Sequence, residues 1–220
     1  DEHLPDLSVA WALRQTAGRG QPGKKWQSEA GKNLTFSILK RFEDLPASRQ
    51  FLINIWASLA VCQVLSGLQV PDLRIKWPND ILSGNRKLCG ILPENSLKSG
   101  RIAQTILGIG LNVNQTEFEG LPAAASVKGV TGEAHRLEPL LLEIREAFSR
   151  EVSAPGALDY ALQQSRYEAL LFRKGEAARF FRGGTPFAAI LRGIDKEGRL
   201  LLEESNGSLR AYGFGEIQMA

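Results

Sequence analysis

A chain of 220 residues, 43% hydrophobic and 23% charged, has the size and texture of one soluble domain with a small appendage. Two cysteines, Cys62 and Cys89, at no metal or disulfide spacing, and two lone histidines, His3 and His135, exclude a zinc site, a disulfide framework and a histidine-based triad. The formal charge of +3 is too small to name a polyanionic partner.

No breaker-free apolar run long enough to span a membrane appears, so no membrane partner is expected. The opening residues DEHLPD lack a basic stretch, which predicts no secretory signal. The cysteine usage suits a reducing cytoplasm.

Residues 6–14, DLSVAWALR, mix apolar and β-branched positions and predict a strand. It leads into GRGQPGKKWQS, residues 18–28. The glycines let the backbone approach a ligand, and Arg19, Lys24 and Lys25 surround them with positive charge, so the loop is a candidate anion cradle. It is not a Walker loop. Gly18, Gly20 and Gly23 fit G-x-G-x-x-G as a string, but no good helix follows, so it is not a dinucleotide fingerprint either. A basic surface turn is the plainer alternative. Trp26 either folds back on the domain or covers a flat ligand such as a purine.

Residues 33–42 predict a second strand, and 51–68, apolar almost all round, a buried helix stopped at Gly67. LRIKWPND then puts Leu73, Ile75 and Trp77 on one face, with Pro78 ending regular pairing. DILSGNRKLCGIL reads as a hairpin turning at Gly84-Asn85, with Ser83 opposite Arg86 and Leu82 opposite Lys87. Asp80 then lies diagonal to Lys87 on the same face, where a carboxylate holds the lysine charged and aimed. An exposed ion pair of little consequence is the alternative. Gly90 leaves room for a ligand to lie against the strand.

In QTILGIGLNVN, Gly108 and Gly110 open two gaps on one strand face and Asn112 continues it, a slot for a planar heterocycle or else a β-bulge. Two helices are expected next, over 136–152 with Leu137, Leu140, Leu141, Ile144 and Phe148 inward, and over 156–172 with Leu162, Tyr167 and Leu170 inward. From Arg173 short strands and tight turns predict a small β-barrel or meander.

QTAGRGQPGKKW, KWPND, RKLCGIL and GIGLNVN, in that order, resemble the catalytic domain of biotin–protein ligases, whose motifs read GRGRxGRxW, KWPND, KxxGIL and GxGxN. The resemblance covers residues 6–115. It implies an α+β fold: a mixed β-sheet backed by helices, class II synthetase-like, over residues 1–172, and a small C-terminal β-barrel over 173–220. It also implies the activity, in which biotin and ATP give biotinyl-AMP and pyrophosphate, and biotin then passes to a lysine of a biotin carboxyl carrier protein. ATP and biotin are the substrates so implied, with Mg2+ accompanying the nucleotide.

By motif position the resemblance sets Gln15, Gly18, Arg19, Ser37, Lys87 and Gly90 along biotin, and Lys24, Trp26, Asn79 and Asn112 on the ATP side. Lys87, Arg19 and Asp80 are the implied catalytic residues, with Asp80 orienting or deprotonating the acceptor lysine. No metal ligand is assigned.

The chain departs from the family pattern at Gln21, where an arginine is usual, and looser retention of the adenylate is expected. The family's Ser-Thr-Asn stretch is not found ahead of Gly18; the chain is a fragment, or this part of the pocket is built differently. Nor is a helix-turn-helix region found, so the expected form lacks DNA binding. A homodimer is compatible with the resemblance.

Two alternatives stand beside this one. A lipoate or octanoate ligase shares the fold and the acyl-adenylate logic. A non-catalytic binding module for a small molecule or nucleic acid is the other. Nucleic acid would require a basic stripe with stacked aromatics, which only the glycine loop offers.

Overall fold

The computed structural model describes residues 4–18, 20 and 26–220. Its first sheet is formed by β1 (Val9–Trp11), β2 (Leu34–Pro46), β3 (Leu73–Lys76), β4 (Asp80–Ser83), β5 (Arg86–Lys98) and β6 (Arg101–Leu111). The order across the sheet is β1-β2-β6-β5-β4-β3. Every neighbouring pair runs antiparallel. The expected mixed sheet is thus corrected to an antiparallel one. Short hairpins join β3 to β4, β4 to β5 and β5 to β6, and such turns can only reverse the chain. Parallel contacts survive as isolated bridges, such as Lys87 with Ala124.

Strict alternation in β2 splits its side chains between two faces. Phe36 and Ile38 are buried toward the core, whereas Thr35 and Ser37 point to the opposite face. Against the core face lies α1 (Phe51–Gly67), whose residues Phe51 to Cys62 are all buried. A helix apolar on every side needs partners on every side. The sheet supplies one. The others are α3 (Leu137–Ser153) and α4 (Tyr160–Ala169), reached after the short α2 (Val127–Thr131). The helical stretch Ala47–Gly67 has the length and hydropathy of a membrane span, but 78% of the 18-residue apolar segment within it is buried in the fold.

On α3, Leu140, Leu141, Ile144 and Phe148 are buried as expected and Leu137 packs at the margin. The second helix is shorter than 156–172. Asp159 caps it by accepting from the Leu162 N–H at 3.2 Å, so the pattern starts later. Tyr167 is buried as expected and Leu170 packs at the margin, but Gln163 takes the other inward place and Leu162 is 46% exposed. Arg166 joins the two helices through a forked pair of bonds to the Glu151 carboxylate, at 2.7 and 2.8 Å.

The second sheet contains β7 (Ala177–Arg182), β8 (Thr185–Ile194), β9 (Leu200–Glu204), β10 (Leu209–Tyr212) and β11 (Gln218–Met219), in the order β10-β9-β8-β7-β11. Its outer strands β10 and β11 do not pair with each other, so it is an open sheet, not the closed barrel expected. Phe180, Leu191, Ile194, Leu200 and Leu202 bury its inner face in the same apolar core that holds α1.

Candidate active site

The face of the first sheet turned away from α1 forms the floor of a cavity of about 770 Å³. Register explains its shape. Asp80, Gly90, Gly110 and Thr35 face one another across four adjacent strands. The next row is Leu92, Gly108, Ser37 and Ala10. Glycines therefore occupy the middle of the first row and one place of the second, leaving a trench where other side chains would stand.

The trench holds the chain's own Trp26. A Cβ added at Gly110 would fall 2.5 to 2.8 Å from three atoms of the indole, and one at Gly90 3.4 Å from its edge. Of the two glycines read as a slot, Gly110 opens onto this flat ring, whereas a Cβ at Gly108 would meet only Leu92, at 3.3 and 3.7 Å. The indole N–H is buried and, among the described residues, without a hydrogen-bond partner. So is Asn112 Oδ1 in the same cavity, although Asn112 Nδ2 donates to the Ala125 carbonyl at 3.0 Å. Each unmet group costs about 1–3 kcal/mol. A ligand carrying a donor and an acceptor would recover that cost.

At the trench end, Lys87 Nζ lies 2.6 Å from Asp80 Oδ1 and 5.8 Å from the centre of the Trp26 ring. The hairpin turns at Gly84 with φ +57, pairing Ser83 with Arg86 and Leu82 with Lys87 as expected. Beyond that the register shifts, so Ile81 meets Cys89 and Asp80 meets Gly90. The bulge leaves Leu88 unpaired with β4 while Asp80 and Lys87 stay in reach. The lysine backbone is fixed by its N–H donating to the Ala123 carbonyl at 2.7 Å and its carbonyl accepting from Ala125 at 2.9 Å. About a third of the Lys87 side chain and a quarter of Asp80 remain exposed, so both can be reached from solvent. Beside them the Cys89 thiol is fully buried, and desolvation drives its pKa far up, leaving it neutral and unreactive.

The other expected residues distribute unevenly. Ser37, Gly90 and Asn112 line the cavity, as does the exposed Gln15. Asn79 lines it too, and its Nδ2 donates to the Ile91 carbonyl at 2.6 Å, clamping the 77–80 segment to β5. Gly18 stands at the loop base, where its carbonyl accepts from Trp26 N–H at 3.2 Å and any Cβ would run into the Trp26 carbonyl. Arg19, Gln21 and Lys24 lie outside the described residues.

Sequence reading missed Thr35, Glu94 and the strap formed by Phe118, Gly120 and residues 121–124, all in the cavity wall. Thr35 was accessible from the two-residue period it shares with Ser37. The strap has no periodicity, and only its backbone bonds to Lys87 reveal it. Among the described residues no cluster of three His, Cys, Asp or Glu side chains is built to hold a metal.

The family model described as "Biotin/lipoate A/B protein ligase family" matches residues 2–112. The chain belongs to that family. A second family model, "Biotin protein ligase C terminal domain", matches residues 179–219. Among family members, the chain is 34% identical to the Bifunctional ligase/repressor BirA of Escherichia coli, over 93% of this chain and 64% of that protein. It is also 34% identical to the Biotin--[acetyl-CoA-carboxylase] ligase of Mycobacterium tuberculosis, over 90% of this chain and 74% of that one. The chain thus spans just under two thirds of the BirA relatives it matches. A biotin protein ligase from Aquifex aeolicus, solved in complex with biotin and ATP, superposes with a TM-score of 0.78 at 26% identity, covering 99% of this chain and 90% of that one.

Proposed function

We propose that the chain is a biotin–protein ligase that activates biotin with ATP and passes it to a lysine of a biotin carboxyl carrier protein. One observation supports this above the rest: the Lys87–Asp80 pair closes a glycine-floored trench in which the Trp26 ring and the open Asn112 acceptor are set to meet a purine. The likeness to a ligase solved with biotin and ATP supports the same substrates.

In the first step a biotin carboxylate oxygen bonds to the α-phosphorus while the bond to pyrophosphate breaks. Both partners are anionic, and two unit charges 4 Å apart interact by about 4 kcal/mol at an effective dielectric of 20. Lys87, held by Asp80 at the meeting point, offsets that repulsion as negative charge gathers. Holding the two substrates side by side lowers the barrier further. In the second step the acceptor amine attacks the biotinyl carbonyl, AMP departs, and the amine loses a proton to Asp80 or to solvent through it. Gln15, Gly18, Arg19, Ser37 and Gly90 serve biotin; Lys24, Trp26, Asn79 and Asn112 serve ATP. The described residues build no metal cage, so Mg2+ would be held chiefly by phosphate oxygens. We place the working division at residues 172 and 173 and the enzyme in the cytoplasm.

Release of pyrophosphate from ATP tests this reading. Release that depends on biotin and does not occur with lipoate is expected. Release with lipoate instead assigns the chain to the other branch of its family, and no release with either overturns the reading.

A further inference from the structure

The second sheet reaches the candidate site through one turn. Residues 195–198 lead from β8 toward β9, and Asp195 closes the turn on itself. Its Oδ1 accepts from the backbone N–H groups of Glu197 at 3.0 Å and Arg199 at 2.9 Å, and Arg199 Nε donates to Oδ2 at 2.6 Å. The Asp195 carbonyl accepts from Gly198 N–H at 2.9 Å and from the Tyr160 hydroxyl at 2.6 Å, which ties the turn to α4. Gly198 has φ +78, and a Cβ there would collide with Phe51 Cβ, Cγ and Cδ2. Conformation and space both demand glycine.

Seated this way, the Gly198 carbonyl accepts a 2.9 Å hydrogen bond from the buried Trp77 indole N–H. Trp77 lies three residues before Asp80. From the six-stranded side, Asn79 clamps the same segment to Ile91, and the Tyr167 hydroxyl donates to the Pro78 carbonyl at 3.4 Å. The Gly198 carbonyl fixes it from the other side. Asn79 and Asp80 also line a second cavity, between the sheets, together with Trp77, Glu197 and Phe214. The turn reaches Asp80 through Trp77 and the backbone of residues 77–80.

We propose that Gly198, through Trp77, is a positioning residue for Asp80, so that the second sheet takes part in the chemistry by fixing the carboxylate beside Lys87. The proposal rests on the functional reading of Asp80 given above. One buried hydrogen bond contributes little to folding, whereas a misplacement near 1 Å at a reacting group costs up to about a hundredfold in rate.

Trp77→Phe removes the donor and keeps a ring, and Asp195→Ala loosens the turn without touching the segment. Each is combined with Asp80→Asn, and the rate of biotin transfer to a carrier domain is measured with biotin and ATP. Each single variant should lose about tenfold in kcat with the KM for biotin unchanged within about twofold. In the Asp80→Asn background the further loss should be below about twofold, because the group being positioned is gone. Asp195→Asn, whose Oδ1 keeps both backbone bonds, should recover most of the rate.

Equal losses in both backgrounds, or no loss, overturn the positioning role. If Trp77→Phe does not fold, Asp195→Ala carries the same comparison. A wild-type chain without biotin-dependent pyrophosphate release overturns the functional reading itself, and the positioning role with it.

Discussion

Lys87 and Asp80 meet at 2.6 Å across a β4–β5 pairing whose register breaks between them. The bulge brings Gly90 opposite Asp80 and so sets the ion pair at the end of the open trench. Asp80→Asn keeps the shape and removes the charge. Transfer of biotin should fall about a hundredfold, the scale of a lost proton acceptor, with biotin KM little changed. Single-turnover transfer from preformed biotinyl-AMP measures it, and a wild-type rate would remove Asp80 from the chemistry.

Gly110 makes room for the Trp26 indole. Gly110→Ala puts a methyl where the ring lies, and because the position is an ordinary strand residue the fold should tolerate it at about 1–3 kcal/mol. The indole should leave the trench, shifting to the red the part of the emission that Trp26→Phe abolishes. Nucleotide binding should weaken about tenfold or more once the ring that meets the base is displaced. An unshifted Trp26 spectrum would mean that the ring does not rest on Gly110.

Glu168 links α4 to the second sheet. Its carboxylate accepts from Gln164 and from Ile194 N–H, both at 2.9 Å, and pairs with Lys174 at 2.6 Å. Burial alone would raise its pKa, but the Lys174 bond and the two N–H donors outweigh it and hold the carboxyl below the ordinary 4.5. A depressed folded-state value contributes stability that is present in full above the unfolded value and lost as pH falls through the folded one. Wild type should therefore lose more stability than Glu168→Gln on acidification below 4.5. Parallel Tm–pH curves for the two proteins would show that the clasp does not contribute.

The sequence was most legible where one face decides the outcome. The all-apolar run at 51–68 had to be a buried helix, and Gly84-Asn85 had to turn a hairpin, so Leu82 and Lys87 pair as read. Less legible was what depends on partners far along the chain. Leu162 keeps helical spacing with its neighbours, yet the cap at Asp159 turns Gln163 inward in its place, beside the expected Tyr167. The second sheet has the short strands of a barrel, but whether its edges meet is not written in any one strand. Within the site, Lys87, Gly90 and Gly110 were readable from their motifs. The strap at Ala123–Ala125 and the occupation of the slot by Trp26 depend on close backbone packing that leaves no local pattern.

If Lys87 drives attachment of biotin to a carrier lysine, the intact mass of a biotin carrier domain after incubation with this chain, biotin and ATP reveals it. The carrier should gain one biotinyl group on one lysine, with the initial rate falling about a hundredfold or more for Lys87→Ala while its Tm stays close to wild type. An unmodified carrier, or the same gain at the same rate with Lys87→Ala, would contradict it.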